Sequence, residues 1–122
     1  MDLILWRHAD AEDGDESIED MNRVLTPRGV KQAARVAGWL DRQLPEGTRV
    51  LSSPARRCEQ TAMALGRKYK VRPELGPEAS SDQLLEAAQW PHSKHAVLIV
   101  GHQPMLGETI ARLLPFEHPA CP

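Results

Sequence analysis

The sequence predicts an α/β fold, a three-layer sandwich in which helices cover both faces of a mostly parallel sheet. Short apolar runs such as Leu3 to Trp6 and Ala96 to Val100 have the length of buried strands. Stretches with helical periodicity follow these runs, and an alternation of strand and helix is typical of this class. The chain has 122 residues and shows no internal repeat or linker, so we expect one domain over residues 1–122.

The first strand, Leu3 to Trp6, is an uninterrupted apolar run, and the first helix begins in the motif LTPRG. Thr26 can cap that helix, and Pro27 suits its first position because a proline there loses no hydrogen bond. Pro45 and Gly47 are expected to end it. Its predicted buried face has an apolar residue every three or four positions, namely Val30, Ala33, Ala37, Leu40 and Leu44.

The remaining elements repeat this order. A second strand, Val50 to Ser52, leads to a helix over about residues 55–69, and a weaker strand near 70–72 leads to a helix over about 81–90. The run Ala96 to Val100 leads to a fourth helix after Pro104. The residues expected to point inward are Cys58, Ala62, Leu65 and Tyr69 of the second helix and Leu106, Ile110, Leu113 and Leu114 of the fourth.

Composition excludes several classes of partner. The chain has 15 Lys and Arg against 17 Asp and Glu, a net charge of -2, so we expect no general attraction to nucleic acid or to membranes. Cys58 and Cys121 form no CxxC pair, which argues against a disulfide framework and a zinc site. The sequence shows no signal-peptide pattern and no run of membrane-spanning length, so we expect a cytoplasmic protein.

Histidines and arginines follow three of the predicted strands. Arg7 and His8 come directly after the first strand, and GHQP places His102 after the last. The segment SSPARRCEQT places Arg56 and Arg57 in the first turn of the second helix. In such sheets, ligands bind at the carboxyl ends of the strands and at helix N-termini. The sequence therefore predicts a site for a phosphate-sized anion with a nucleophile in it.

Four motifs resemble those of the histidine phosphatase superfamily, the phosphoglycerate-mutase-like enzymes. RHADA resembles R-H-G, LTPRGVKQA is similar to L-T-x-x-G-x-x-Q-A, SSPARRCEQT resembles S-P-x-x-R-A-x-x-T, and VGHQP matches the second-histidine motif. They occur in the family's order between residues 7 and 104. Within the superfamily, the short chain, RHADA and the segment NRVLT resemble the SixA-type phosphohistidine phosphatases. The resemblance implies the phosphoglycerate-mutase-like fold.

The resemblance also implies roles for individual residues. His8 would be the phosphate-accepting nucleophile and His102 the second active-site histidine. The arginine of the third motif stands four residues after Ser53, which selects Arg57 and leaves Arg56 as a surface residue. The phosphate-binding set would be Arg7, Arg23, Arg57 and His102.

Chemistry explains why cations should flank a nucleophilic histidine. His8 must be neutral to attack phosphorus, and nearby cations such as Arg7 and Arg57 lower its pKa. These arginines and His102 can neutralise the charge on the phosphoryl oxygens, so we expect neither a metal nor another cofactor. Water would then hydrolyse the phosphohistidine intermediate.

The chain departs from the family pattern in three places. Ala9 replaces the glycine that follows the nucleophile. The glutamate that donates a proton to the leaving group in many relatives aligns with Pro77, so the donor is Glu78, Asp10 or no residue. Relatives usually continue into further strands, and we expect residues 1–122 to lack them, whether the protein is naturally short or these residues are a piece of a longer one.

The leading functional prediction is a metal-independent phosphatase that acts on protein phosphohistidine. No long insertion separates the motifs, which favours an open cleft that can admit a side chain on a protein surface. Phosphohistidine can also be cleaved without a dedicated acid, because its imidazole can be protonated near neutral pH. The alternatives are a phosphatase of small phosphate esters and a catalytically weak module that binds phosphate or phosphoproteins.

Overall fold

The structure, a computed structural model, describes residues 2–114 and contains a four-stranded parallel sheet in the order β1-β4-β2-β3. Its strands are β1 (Leu3–Arg7), β2 (Arg49–Ser52), β3 (Lys70–Val71) and β4 (Val97–Gly101). The helices are α1 (Pro27–Gln43), α2 (Arg56–Met63), α3 (Ser81–Ala88) and α4 (Met105–Leu113). Two short 3₁₀ helices cover Asp20–Asn22 and Pro73–Leu75.

The helices form two layers on opposite faces of the sheet. One core cluster joins α1 and α2 to side chains such as Trp6 and Val100, and the other joins α3 and α4 to side chains such as Leu51 and Ile99. Every residue of β4 is buried, because this strand lies between β1 and β2 and is covered on both faces. The predicted three-layer α/β sandwich is confirmed.

The strand register brings the functional loops to one edge. Arg7 at the end of β1 is opposite Gly101 at the end of β4, and Ser52 at the end of β2 is opposite Val100. All three strands run in the same direction, so the segments that follow them leave the sheet side by side.

Local sequence accounts for the helix ends. The Thr26 side chain accepts a hydrogen bond from the Gly29 N–H and Pro27 opens α1, as predicted. Two helices are shorter than expected. α2 ends at Met63, before a turn in which Gly66 has a φ of 76°, so Leu65 and Tyr69 lie beyond the helix. α3 ends at Ala88, where Gln89 adopts the left-handed conformation with a φ of 59°.

Three residues expected on buried faces are exposed: Val30 (53%), Ile110 (48%) and Leu114 (48%). The buried stripe of α1 includes Gly29, and Val30 is rotated by about 100° from it around the helix axis. In α4 the buried stripe includes Thr109, whose hydroxyl donates to the Met105 carbonyl at 2.8 Å. A polar side chain therefore takes the inward position that the apolar pattern assigned to Ile110.

Within residues 2–114, no helix combines the length and the apolar character needed to cross a bilayer. Cys121 and the rest of the segment after Leu114 lie outside the described residues.

Candidate active site

The carboxyl ends of β1 and β4 and the N-terminus of α2 meet at a cavity of about 660 Å³. All five residues that the sequence predicted for the site line this cavity, namely Arg7, His8, Arg23, Arg57 and His102. Arg56 lies instead in a separate groove beside Met63, as expected for a surface residue. The cavity therefore places two imidazoles and several guanidinium groups around one volume.

Hydrogen bonds fix both the backbone position and the tautomer of His8. Its backbone N–H donates to the Gly101 carbonyl at 3.1 Å, which ties the residue to β4. Its Nδ1 lies 2.8 Å from the carbonyl oxygen of Ala9. A carbonyl only accepts hydrogen bonds, so Nδ1 carries the proton and Nε2 keeps its lone pair.

Burial and nearby cations keep His8 neutral. Partial burial of the ring is the largest cause that lowers its pKa below 6.5, and the charges of Arg57, Arg7 and Arg23 add to it. The hydrogen bond to the Ala9 carbonyl opposes this shift without reversing it. The neutral imidazole is the form that can act as a nucleophile.

His102 is buried beside His8, and the two ring centroids are 5.4 Å apart in an edge-to-face arrangement. Its Nε2 lies 2.7 Å from Ser53 Oγ, and its Nδ1 lies 3.5 Å from Nη2 of Arg57. Burial and then the charge of Arg57 lower the pKa of His102 to about 4. His102 is therefore neutral at physiological pH, with Nε2 held by Ser53.

Arg57 is a buried cation in the first turn of α2, with 3% of its surface exposed. Nη1 donates to the backbone carbonyl of Asp20 at 2.7 Å, and Nη2 donates to Asp20 Oδ2 at 3.0 Å. Its Nε is buried and has no hydrogen-bond partner among the described residues. One edge of the guanidinium group is thus engaged, and the buried Nε is left unpaired within residues 2–114.

Arg23 links the loop after His8 to the same carboxylate. Its Nη1 donates to the Glu12 carbonyl at 3.1 Å, and its Nε lies 3.1 Å from Asp20 Oδ1. The sequence predicted Arg23 as a phosphate contact and did not single out Asp20. The available signal was the spacing of an acidic residue three positions before Arg23.

The LTPRGVKQA motif shapes the loop that carries the nucleophile. The Thr26 N–H donates to the Asp10 carbonyl at 3.0 Å, and Gln32 Oε1 accepts from the Asp10 N–H at 3.1 Å. A Cβ on Gly29 would lie 1.9 Å from the Asp10 carbonyl oxygen, so only glycine allows this approach. From the sequence, this motif was interpreted mainly as the start of a helix.

Thr61 connects the loop that carries His8 to helix α2. Its Oγ1 accepts from the Ala9 N–H at 3.0 Å and donates to the Arg57 carbonyl at 2.8 Å. Ala9 in turn accepts the His8 Nδ1 hydrogen bond, so one hydroxyl connects the nucleophile loop to α2. Sequence reasoning missed this contact, although the spacing of four from Arg57 places both residues on one face of the helix.

The two candidate acids differ in position. Asp10 lines the cavity, and its Oδ2 accepts from the Thr26 hydroxyl at 2.7 Å. Glu78 lies in a neighbouring surface depression, whereas Pro77 lines the cavity. Pro77, where the sequence resemblance placed the acid, therefore faces the site but carries no acid.

Cys58 packs behind His102, with Sγ 3.4 Å from Nε2. Burial raises the pKa of this thiol to about 12, so it stays protonated. Among residues 2–114, no group of three or more His, Cys, Asp and Glu side chains is arranged to hold a metal ion.

Comparison with known proteins extends the resemblance seen in the sequence. The family model described as histidine phosphatase superfamily (branch 1) matches residues 3–80. The chain belongs to the histidine phosphatase superfamily. It is 34% identical to the phosphohistidine phosphatase SixA of Escherichia coli (strain K12), over 98% of this chain and 78% of that protein. The predicted SixA-type resemblance is therefore confirmed.

Solved structures of phosphatases match the fold. The structure of the protein histidine phosphatase SixA complexed with tungstate superimposes with a TM-score of 0.77 at 32% identity, over 98% of this chain and 80% of that one. A phosphoserine phosphatase of Entamoeba histolytica superimposes with a TM-score of 0.70 at 16% identity, over 88% of this chain and 77% of that one, which shows a shared fold. The protein is a histidine phosphatase, and the predicted phosphoglycerate-mutase-like fold is confirmed.

Proposed function

We propose that this histidine phosphatase removes the phosphoryl group from protein phosphohistidine through a covalent intermediate on His8, without a metal ion. The observation that carries the proposal is the hydrogen bond from His8 Nδ1 to the Ala9 carbonyl at 2.8 Å. That contact presents Nε2 as an unprotonated nucleophile in a cavity that also contains Arg57 and His102.

The reaction proceeds in two displacements. The lone pair of His8 Nε2 forms a bond to phosphorus as the P–N bond of the substrate breaks. The electron pair of that P–N bond stays on the substrate imidazole, which leaves as a neutral ring because its other nitrogen carries a proton. Water then attacks phosphorus, and the electron pair of the P–N bond returns to His8 Nε2. Both protons of the water leave on the product, which is released as dihydrogen phosphate. Each displacement requires in-line positioning and neutralisation of the phosphoryl charge.

The arginines of the cavity and His102 bind the negatively charged oxygens of the phosphoryl group. Arg57 offers its unpartnered Nε beside Nη2, a pair of donors that suits two phosphoryl oxygens. Arg57 Nη2, which lies 3.5 Å from Nδ1 of His102, donates to the phosphoryl group instead of to the ring when phosphate binds, and Nδ1 also donates to a phosphoryl oxygen when the Ser53 hydroxyl donates to Nε2. Arg7 and Arg23 complete the set as further phosphate ligands.

The acid positions favour a P–N substrate over an alkyl ester. Pro77 faces the cavity at the position where the sequence resemblance implies an acid, and Glu78 does not line the cavity. Asp10 lines it, but its Oδ2 is already engaged by the Thr26 hydroxyl. An alkoxide leaving group needs a well-placed proton donor, whereas a phosphohistidine imidazole can already carry its proton near neutral pH. The match to the SixA protein of Escherichia coli, whose name specifies phosphohistidine, supports the same substrate class.

The proposal also includes a cytoplasmic location and a single catalytic domain over residues 1–122. Support for the location comes from a composition without a disulfide framework and from the free thiol of Cys58 in the described part of the chain. Support for the domain comes from the family match over residues 3–80 and the SixA match over 98% of the chain.

A substrate panel tests the proposal. We expect kcat/KM to be higher for a phosphohistidine-bearing protein than for a sugar phosphate, with an aryl phosphate between them because its leaving group needs little acid assistance. Each assay is repeated with His8→Ala, which corrects for contaminating phosphatases. Glu78→Gln is expected to leave turnover of the phosphohistidine protein unchanged. Efficient turnover of the sugar phosphate without action on the phosphohistidine protein would favour the small-ester alternative and overturn the proposal.

A further inference from the structure

The carboxylate of Asp20 contacts two of the arginines that line the cavity. Its Oδ2 accepts from Arg57 Nη2 at 3.0 Å, and its Oδ1 lies 3.1 Å from Arg23 Nε. The Asp20 backbone carbonyl accepts a second hydrogen bond from Arg57, from Nη1 at 2.7 Å. Asp20 thus engages both terminal nitrogens of Arg57 at once.

Burial makes this contact important for Arg57. A guanidinium group with 3% exposure needs a counter-charge, and among the ion pairs of residues 2–114 Asp20 is its carboxylate partner. The contact occupies Nη1 and one N–H of Nη2, so the Nε side of the group remains for a ligand. A planar guanidinium group held at one edge has its other edge oriented as well.

The backbone around Asp20 is itself held in place. Asp20 begins the 3₁₀ helix Asp20–Asn22, and its carbonyl also accepts from the Arg23 N–H at 3.2 Å. Arg23 packs against the loop, since a Cβ on Gly14 would lie 2.9 Å from Arg23 Cδ. Partial burial opposes ionisation of Asp20, yet its hydrogen bond to Arg57 and the charges of Arg57 and Arg23 lower its pKa. The carboxylate is therefore charged at neutral pH.

We propose that Asp20 is a positioning residue for phosphoryl transfer, which orients the guanidinium group of Arg57 towards the reacting phosphoryl group and links it to Arg23. The inference rests on the phosphatase reaction proposed above, but it does not depend on the identity of the leaving group. The contacts of Asp20 with both arginines are the observation that carries it.

If Asp20 positions Arg57, its removal should weaken transition-state binding. If Asp20 instead competes with the substrate as an anion, its removal should strengthen the binding of anions. Loss of orientation weakens interactions with the transition state more than it weakens ground-state binding, because the transition state requires a fixed arrangement of donors. Loss of a negative charge near the cavity, by contrast, strengthens binding of every anion to a similar extent. Vanadate adopts the five-coordinate geometry of the transition state and inorganic phosphate does not, so their affinities separate the two effects.

The test compares Asp20→Ala and Asp20→Asn with Glu19→Gln, which removes a neighbouring exposed carboxylate outside the cavity lining. Turnover of an aryl phosphate, inhibition by phosphate and by vanadate, and the thermal midpoint are measured for each variant. We expect kcat of Asp20→Ala to fall about 10- to 100-fold, as for other losses of positioning. The preference for vanadate over phosphate should fall with it. Asp20→Asn should be intermediate because its amide oxygen still accepts from Arg57, and Glu19→Gln should match the wild type.

Three outcomes would overturn the proposal. An unchanged or higher kcat in Asp20→Ala, with phosphate and vanadate both bound more tightly, would identify the carboxylate as a competitor for the site. A lower thermal midpoint with an unchanged vanadate-to-phosphate preference would indicate structural support alone. Equal effects of Asp20→Asn and Glu19→Gln would indicate a general effect of charge. Direct binding of vanadate and phosphate tests Asp20 even if the aryl phosphate is not hydrolysed, whereas absence of turnover on the phosphohistidine protein would count against the proposed function.

Discussion

The cavity has a buried side and an exposed side, and they are held by different forces. The buried side consists of Arg57 and His102, which line the cavity, and of Ser53 and Thr61 behind them, all at most 3% exposed. It is built on β2, β4 and α2, whose positions are fixed by core packing. The exposed side is the loop between β1 and α1, which depends on hydrogen bonds such as those of Asp10 and Arg23. Substitutions on the buried side should therefore affect catalysis more strongly than those at exposed positions that do not contact it, such as Arg56 and Ser17.

Arg57 and Arg56 provide the sharpest test, because they are adjacent in sequence but only Arg57 is buried in the site. Arg57→Lys should raise the activation free energy by about 2 to 4 kcal/mol, since a point charge cannot replace a two-pronged donor. Arg56→Lys should leave kcat/KM within twofold of the wild type. Steady-state kinetics with an aryl phosphate measures both. The opposite ranking would show that the arginine of the third motif has been assigned to the wrong position.

Thr61 tests the connection within the buried side. Thr61→Val leaves the Ala9 N–H without its partner, which should reduce stability by about 1 to 3 kcal/mol. It should also lower kcat about tenfold, because the loop that orients His8 loses its link to α2. Thr61→Ser should restore most of the activity. The exposed control is Ser17→Ala, expected to change stability by less than about 0.5 kcal/mol. Equal effects of Thr61→Val and Ser17→Ala would remove the distinction between the two sides.

Burial of His102 predicts a pH dependence of stability. Its pKa is about 4 in the folded protein and near 6.5 when unfolded, so the unfolded state binds more protons between these values. The contribution of His102 to the free energy of unfolding should therefore be constant above pH 6.5 and should fall as the pH drops towards 4. Urea unfolding of the wild type and His102→Asn at pH 7 and pH 4.5 measures the difference. A loss of stability no larger in the wild type than in the variant would contradict the assignment.

Chelation should have the smallest effect. The proposed mechanism meets the phosphoryl charge with guanidinium groups and His102, so incubation with EDTA should leave kcat/KM unchanged. Added Mg²⁺, Mn²⁺ or Zn²⁺ should likewise not stimulate the enzyme. Loss of activity with EDTA that a divalent ion restores would support a metal-dependent reaction instead.

The residues that follow the strands were the easier part of the site to predict from the sequence. His8, Arg57 and His102 each follow an apolar strand, and the parallel arrangement of β1, β2 and β4 brings such residues to one edge. The contacts of Asp20 and Thr61 depend on the path of a loop and on hydrogen bonds between segments distant in sequence, which no periodicity encodes. Val30 and Ile110 were assigned to the wrong faces because an apolar residue beside the buried stripe fits the helical pattern nearly as well.

The central claim is that His8 carries the phosphoryl group during turnover. The direct measurement is rapid quenching of the enzyme with ³²P-labelled substrate, followed by a comparison of acid and alkaline stability and by mapping of the labelled peptide. The account predicts a phosphoenzyme that is labile in acid and stable in alkali, with the label on the peptide that contains His8 and no label in His8→Ala. Wild-type turnover without such an intermediate, or a labelled and active His8→Ala variant, would contradict it.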